Sequence, residues 1–182
     1  MCRVFFVQQT ECVPATNIKF IVLGDWGGRV ENVNDKRFRD TFEDVFDSPY
    51  FNIPWYMLAG NHDHRGNVSA QIAYSQISSK WTFPHYYYKQ TKRIVGSNVT
   101  LDILMLDTVI LCGQADDEMV QQPTGVSNQT FAEQQWAWLT NELATSRATY
   151  LLVAGHFPIY SIGVHGANHL SYAKTHAAAT HI

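Results

Sequence analysis

Three short apolar runs in this sequence each end at a glycine followed by a hard oxygen or nitrogen donor, which restricts the chain to few architectures. Residues 18–23 lead into Gly24-Asp25-Trp26-Gly27-Gly28, residues 54–58 lead through Ala59 into Gly60-Asn61-His62-Asp63-His64, and residues 150–154 lead into Gly155-His156-Phe157-Pro158. Near-continuous apolar runs of five or six residues read as strands covered on both faces. Reactive groups placed just beyond the carboxyl ends of such strands are how layered α/β enzymes assemble a site. Helical spacing fills the intervals. Phe38, Phe42, Val45 and Phe46 form one stripe behind an Asn34 or Asp35 cap and ahead of Ser48-Pro49. Residues 69–80 are expected to be helical, with Ile72, Ala73 and Ile77 inward. Thr130-Phe131-Ala132-Glu133 reads as a capping box opening a helix whose inward residues are Ala132, Trp136, Leu139 and Leu143. A further strand is expected at 99–106 and a surface loop at 112–127. Strand–helix alternation gives an α/β layered domain over residues 17–168. Residues 1–16 are expected to be a disordered N-terminal segment, and 169–182 an aperiodic tail.

Composition narrows the function. A net charge of -3 gives no reason to expect nucleic acid or an anionic membrane surface as a partner. No apolar run approaches the roughly 20 residues that span a bilayer. The apolar stretch at 4–7 falls far short of the ~7–15 residues of a secretory leader core, so no signal peptide is recognisable. Three acceptor sequons, at Asn67, Asn98 and Asn128, nevertheless point to the secretory route.

The three tips carry a definable chemistry. Asp25 offers an anionic oxygen, Asn61 an amide oxygen and His156 an imidazole nitrogen, a set suited to Fe, Zn or Mn. His62 adjoins Asn61 and can face a substrate. His165, nine residues past His156 on a Pro/Gly-containing stretch, can reach back to hold a phosphate oxygen or protonate a leaving group.

With these motifs, and with Asn34-Asp35-Lys36-Arg37-Phe38 and Gly66-Asn67-Val68-Ser69-Ala70-Gln71-Ile72-Ala73-Tyr74 beside them, the sequence resembles the mammalian-type purple acid phosphatases. These are the tartrate-resistant acid phosphatases of the calcineurin-like metallophosphoesterase superfamily. The resemblance implies a layered β-sandwich flanked by helices, and hydrolysis of phosphate monoesters at acid pH by a dinuclear Fe–Fe or Fe–Zn centre. It places Asp25 on the ferric ion, Asn61 and His156 on the divalent one, and His62 and His165 against phosphate. Asn67 and Asn98 fall where the family carries glycans, and a monomer that is secreted or lysosomal is implied.

The sequence also departs from that pattern. Between Gly28 and Glu31 the family has a further strand ending in Gly-Asp-x-x-Tyr, whose aspartate bridges the metals. Here Arg29-Val30 alone spans the interval. The family's Gly-His-x-His motif has no counterpart either, so three of seven ligands are present. Relative to the family, this is a copy lacking one interior strand and the C-terminal part. Impaired turnover is therefore expected, the alternative being a non-catalytic splice or gene-model variant that binds little metal.

Overall fold

In a computed structural model, which describes residues 3–7, 19–23, 29–115 and 123–158 and gives the first two stretches as backbone only, the strands sort into two sheets. One contains β1 (Arg3–Val7), β2 (Lys19–Leu23), β3 (Trp55–Tyr56) and β4 (Trp81–Thr82) in the order β2-β1-β3-β4. The other contains β5 (Tyr88–Arg93), β6 (Thr100–Met105) and β7 (Tyr150–Ala154) in that order, β6 running antiparallel to β5 and parallel to β7.

The two-residue period of a strand explains how the layers stack. On one face of β6, Leu101, Ile103 and Met105 join a buried cluster with Trp55, Tyr56 and Trp81 of the first sheet and with Met57 and Phe83, which follow its strands. From the other face, Leu104 joins Leu106 and meets Leu111 of α3 (Thr108–Cys112) and Ala132 and Leu139 of α4 (Gln129–Thr145). The β-sandwich flanked by helices is therefore present. The stripe on α4 also falls as its spacing requires, although the helix begins earlier than the Thr130 motif indicates. Asn128 is the cap, its Oδ1 accepting the Phe131 N–H at 3.1 Å.

The N-terminal segment corrects the sequence reading. Arg3–Val7 is not disordered but forms β1, antiparallel to both neighbours, pairing with β2 from Arg3↔Leu23 to Val7↔Lys19 and with β3 at Val4↔Tyr56 and Phe5↔Trp55. Since β1 opposes both, β2 and β3 run parallel to each other across it. Two parallel strands with a slot between them need a third strand to satisfy their backbone groups. The apolar Val4-Phe5-Phe6-Val7 run has the composition of an interior strand. β5 was also not anticipated, because Lys89, Gln90, Thr91, Lys92 and Arg93 lack an apolar run.

Two helical stripes are displaced from their expected positions. The segment Arg39–Glu43 is π-helical, with the Asp44 N–H bonded to the Arg39 carbonyl five residues back. That wider turn shifts the phase after Phe42. Phe38 and Phe42 are buried while Val45 is 56% exposed, against the expectation of a single buried stripe. Asp35 does not cap a helix in the ordinary way. Its carboxylate accepts the N–H groups of Arg37 and Glu31 at 3.0 and 2.9 Å, which hold its pKa below the usual range. In α2 (Val68–Tyr74), which ends short of the expected residue 80, Val68, Gln71 and Tyr74 face inward, whereas Ala73 and, beyond the helix, Ile77 are exposed. Gln71 and Tyr74 are held there by partners: Gln71 Nε2 donates to Asp63 Oδ1 at 2.8 Å, and the Tyr74 ring stacks on Phe38 with centroids 3.7 Å apart.

Glu43, Lys80 and Tyr74 tie the π-helical segment to α2 and the approach to β4. Lys80 Nζ lies 2.9 Å from Glu43 Oε2, and Tyr74 donates to Glu43 Oε1. Burial raises the Glu43 pKa, but hydrogen bonds from Ser78, Lys80 and Tyr74 outweigh it and leave the carboxyl below its ordinary 4.5. Burial and the Glu43 charge push Tyr74 up to about 12. A carboxyl with a lowered folded-state pKa stabilises above its unfolded value and loses that contribution as pH falls through the folded value. Glu43→Gln is therefore expected to lower the urea midpoint at pH 7, with the gap to the parent chain closing between pH 5 and pH 3. A gap unchanged over that range contradicts the assignment.

Candidate metal centre

The buried run Met57–Ala59 carries the chain from β3 to Gly60, and a one-turn helix, α1 (Asn61–His64), follows at once. Asp63 is fully buried and folds this turn: its Oδ2 accepts the Gly60 N–H at 2.8 Å. On the neighbouring sheet, β7 ends at Ala154 and delivers Gly155 and His156 to the same place.

His156 Nε2 lies 2.9 Å from Asn61 Oδ1. An amide oxygen only accepts, so the ring nitrogen donates in this contact. The orientation of the Asn61 amide is set from its other end, where Nδ2 donates to the Ala115 carbonyl at 3.2 Å. Arg65 Nη2 donates to that same carbonyl at 3.0 Å, and Gln114 Nε2 reaches the Asn61 carbonyl at 3.2 Å. The two candidate ligating atoms thus face each other. Two donors bound to one cation at ~2.1 Å and about a right angle apart would be separated by about 3 Å, so this pair fits neighbouring positions on a single ion. The donor chemistry, one neutral oxygen and one imidazole, suits Zn, Fe or Mn.

Gly60 makes the approach possible. A Cβ there would lie 2.9 Å from three His156 ring atoms, although the backbone (φ -113°) is open to any residue. Gly60→Ala is therefore expected to keep the fold but push the imidazole off Asn61. Metal affinity should drop by at least tenfold on competition with a chromophoric chelator, with an unchanged circular dichroism spectrum. Equal affinity in the variant rules this packing role out.

Of the other predicted site residues, His62 is half-buried on α1, next to Asn61. Asp25 and His165 lie outside the described residues. Among the described residues there is no group of three or more His, Cys, Asp or Glu side chains that could hold a metal. Asn67 is exposed and caps α2, its Oδ1 accepting the Ala70 N–H at 3.0 Å, and Asn98 is exposed in the turn between β5 and β6.

Sequence reasoning missed the residues beneath the two tips. Asp107, fully buried, follows β6 and caps α3 through Oδ1, which accepts the N–H groups of Val109 and Ile110, both at 3.0 Å. Its Oδ2 lies 2.6 Å from His64 Nε2, and the Gln135 amide binds both its N–H and its carbonyl. The one available signal was the Asp107-Thr108 pair ending an apolar run, which matches the pattern of the three tips without a glycine.

The model of the calcineurin-like phosphoesterase family matches residues 6–179. Among curated relatives, tartrate-resistant acid phosphatase type 5 of Rattus norvegicus is 44% identical over 194 residues, covering 84% of this chain and 59% of that one. The Oryctolagus cuniculus protein of the same name is 54% identical over 146 residues, covering 80% of this chain and 45% of that one. A purple acid phosphatase of Arabidopsis thaliana is 24% identical over 194 residues, covering 84% and 55%. The chain thus spans about half the length of the curated relatives it matches. In the rat alignment, 84% of 182 residues is about 153, so about 40 of the 194 positions have no residue here. Among solved structures, GAP50, the anchor in the inner membrane complex of Plasmodium, aligns with a TM-score of 0.64 at 23% identity, over 83% of this chain and 49% of that one. At that identity the likeness speaks to the fold alone.

Proposed function

This chain belongs to the calcineurin-like phosphoesterase family, and from that premise we propose that it binds a metal ion at Asn61 and His156 and hydrolyses phosphate monoesters more slowly than its longer relatives. The observation that carries the reading is the 2.9 Å approach of Asn61 Oδ1 to His156 Nε2, on tips of two different sheets. Support for the substrate class comes from relatives named as acid phosphatases.

When bound, the ion supplies Lewis acidity towards a phosphoryl oxygen. Asn61 and His156 hold it, and Asp25 is the further anionic donor that the resemblance offers. To hold the ion through Nε2, the neutral His156 ring would carry its proton on Nδ1 instead. His62, half-buried beside Asn61, steadies the phosphate, and His165 gives a proton to the departing alkoxide. A second iron or zinc is disfavoured. Two such cations about 3.5–4 Å apart repel and need a bridging anion, and the interval between Gly28 and Glu31 supplies no carboxylate to serve as one.

A non-catalytic product with little metal binding is the second reading, favoured by the roughly 40 alignment positions absent here. Placement in a secreted or lysosomal compartment is part of the proposal and rests on the exposed Asn67 and Asn98 sequons. Among the described residues, no helix is long and apolar enough to cross a membrane.

The test combines metal uptake with turnover of an aryl phosphate near pH 5 in the presence of iron and zinc. Uptake of one ion with turnover well below that of a full-length relative, both lost in Asn61→Ala and His156→Ala, is the expected result. Turnover equal to the relative overturns the impaired reading. Zero uptake with zero turnover selects the non-catalytic one.

A further inference from the structure

The two donor-bearing tips belong to different sheets, and α1 and β7 are not adjacent in sequence, yet they meet within hydrogen-bond distance. The residues beneath them explain how that spacing is fixed. Thr108 straddles His156: its Oγ1 accepts the Phe157 N–H at 3.0 Å, and its methyl occupies the space against Gly155, where a Cβ would come within 2.7 Å of Cγ2. The peptide units on both sides of His156 are therefore seated on one side chain. The residue before it, Asp107, grips the other tip through His64, three residues after Asn61 on the same helical turn.

Asp107 and Thr108 are themselves immobilised. Both are buried, Asp107 caps α3, and its main chain is bound at N–H and carbonyl by the Gln135 amide of α4. Neither residue touches the Asn61–His156 pair directly in these contacts.

We propose that the N-terminus of α3, Asp107-Thr108, is the brace that sets the separation of the two metal donors, with His64 and Thr108 as its positioning contacts. This inference rests on the metal-site reading above and adds to it the residues that make the pair a preorganised site. A donor pair fixed before the ion arrives binds more tightly, because the ion does not have to order it. Outer partners of this kind commonly govern affinity by 10–100-fold.

The variants isolate each contact with little change in shape. Thr108→Val keeps a methyl against Gly155 but cannot accept from Phe157, whereas Thr108→Ser keeps the acceptor. His64→Leu cannot donate to Asp107, whereas His64→Gln places an amide donor in that direction. Two readouts are needed. The first is cobalt(II) affinity, followed by its visible absorption. The second is the His156 imidazole nitrogen and proton shifts in metal-free protein, which report the bond to Asn61 with no ion present.

Thr108→Val and His64→Leu are expected to weaken cobalt affinity by about 10–100-fold and to shift the His156 signals, with Thr108→Ser and His64→Gln recovering most of both. A Thr108→Val chain with native circular dichroism, parental affinity and unmoved His156 signals overturns the brace. If the parent chain binds no cobalt, the metal reading fails on its own. The imidazole shifts then still decide whether Asp107-Thr108 sets the position of His156.

Discussion

Deleting residues 1–16, or replacing Phe5 with proline, is expected to abolish the cooperative unfolding transition. β1 is paired along all five of its residues with β2 and at two of them with β3. In the described residues the pairing of β2 runs wholly through β1, so removing it leaves one strand stranded and opens an interior edge of β3 beneath Asn61. Each backbone group buried without a partner costs about 1–3 kcal/mol. A few such groups match the whole stability of a domain, about 5–15 kcal/mol. Proline at position 5 acts through the same bonds, since it cannot donate to a ladder and is confined to edges and bulges. Tryptophan fluorescence across a urea gradient reads the outcome, with Trp55 and Trp81 reporting from the core. A shortened chain with the parental midpoint and slope would show that β1 is dispensable.

That same strand marks the limit of what the sequence discloses. The runs at 18–23, 54–58 and 150–154 were legible because an apolar stretch ending in glycine is a local pattern. Asn61 and His156 followed from it, and they do meet. β1 was not legible, since four apolar residues near a terminus carry no record of a vacant position elsewhere in the sheet. Val45 failed for a different reason: its phase assumed 3.6 residues per turn, and a π turn breaks that count. Over residues 69–80, hydrophobicity ranks Ala73 and Ile77 above Gln71. A glutamine with a buried carboxylate to bind goes inward regardless, and only the fold supplies that carboxylate. The brace at Asp107 and Thr108 was hidden for the same reason, since its partners His64, Gly155 and Phe157 lie more than 40 residues away in sequence.

Asp63→Ala is expected to cost about 2–6 kcal/mol, since it leaves two buried donors without a partner and each such group costs about 1–3 kcal/mol. Asp63 is fully buried, and its two oxygens receive the Gly60 N–H and the Gln71 amide, both at 2.8 Å. Alanine leaves both donors buried, and Gln71 is itself fully buried. Asp63→Asn is expected to recover only part of the loss, because an amide has one acceptor oxygen for two donors and turns its NH2 towards one of them. The damage also has a direction. The Gly60–Asp63 bond closes the turn that carries Asn61, so the site should loosen before the sandwich does. Metal uptake in Asp63→Asn should therefore fall by more than its thermal midpoint implies. The two are separable by titrating cobalt(II) at a temperature where both proteins remain folded. Parental affinity in a destabilised Asp63→Asn chain would mean that the carboxylate supports the core alone, and that Gly60 and Asn61 keep their geometry without it.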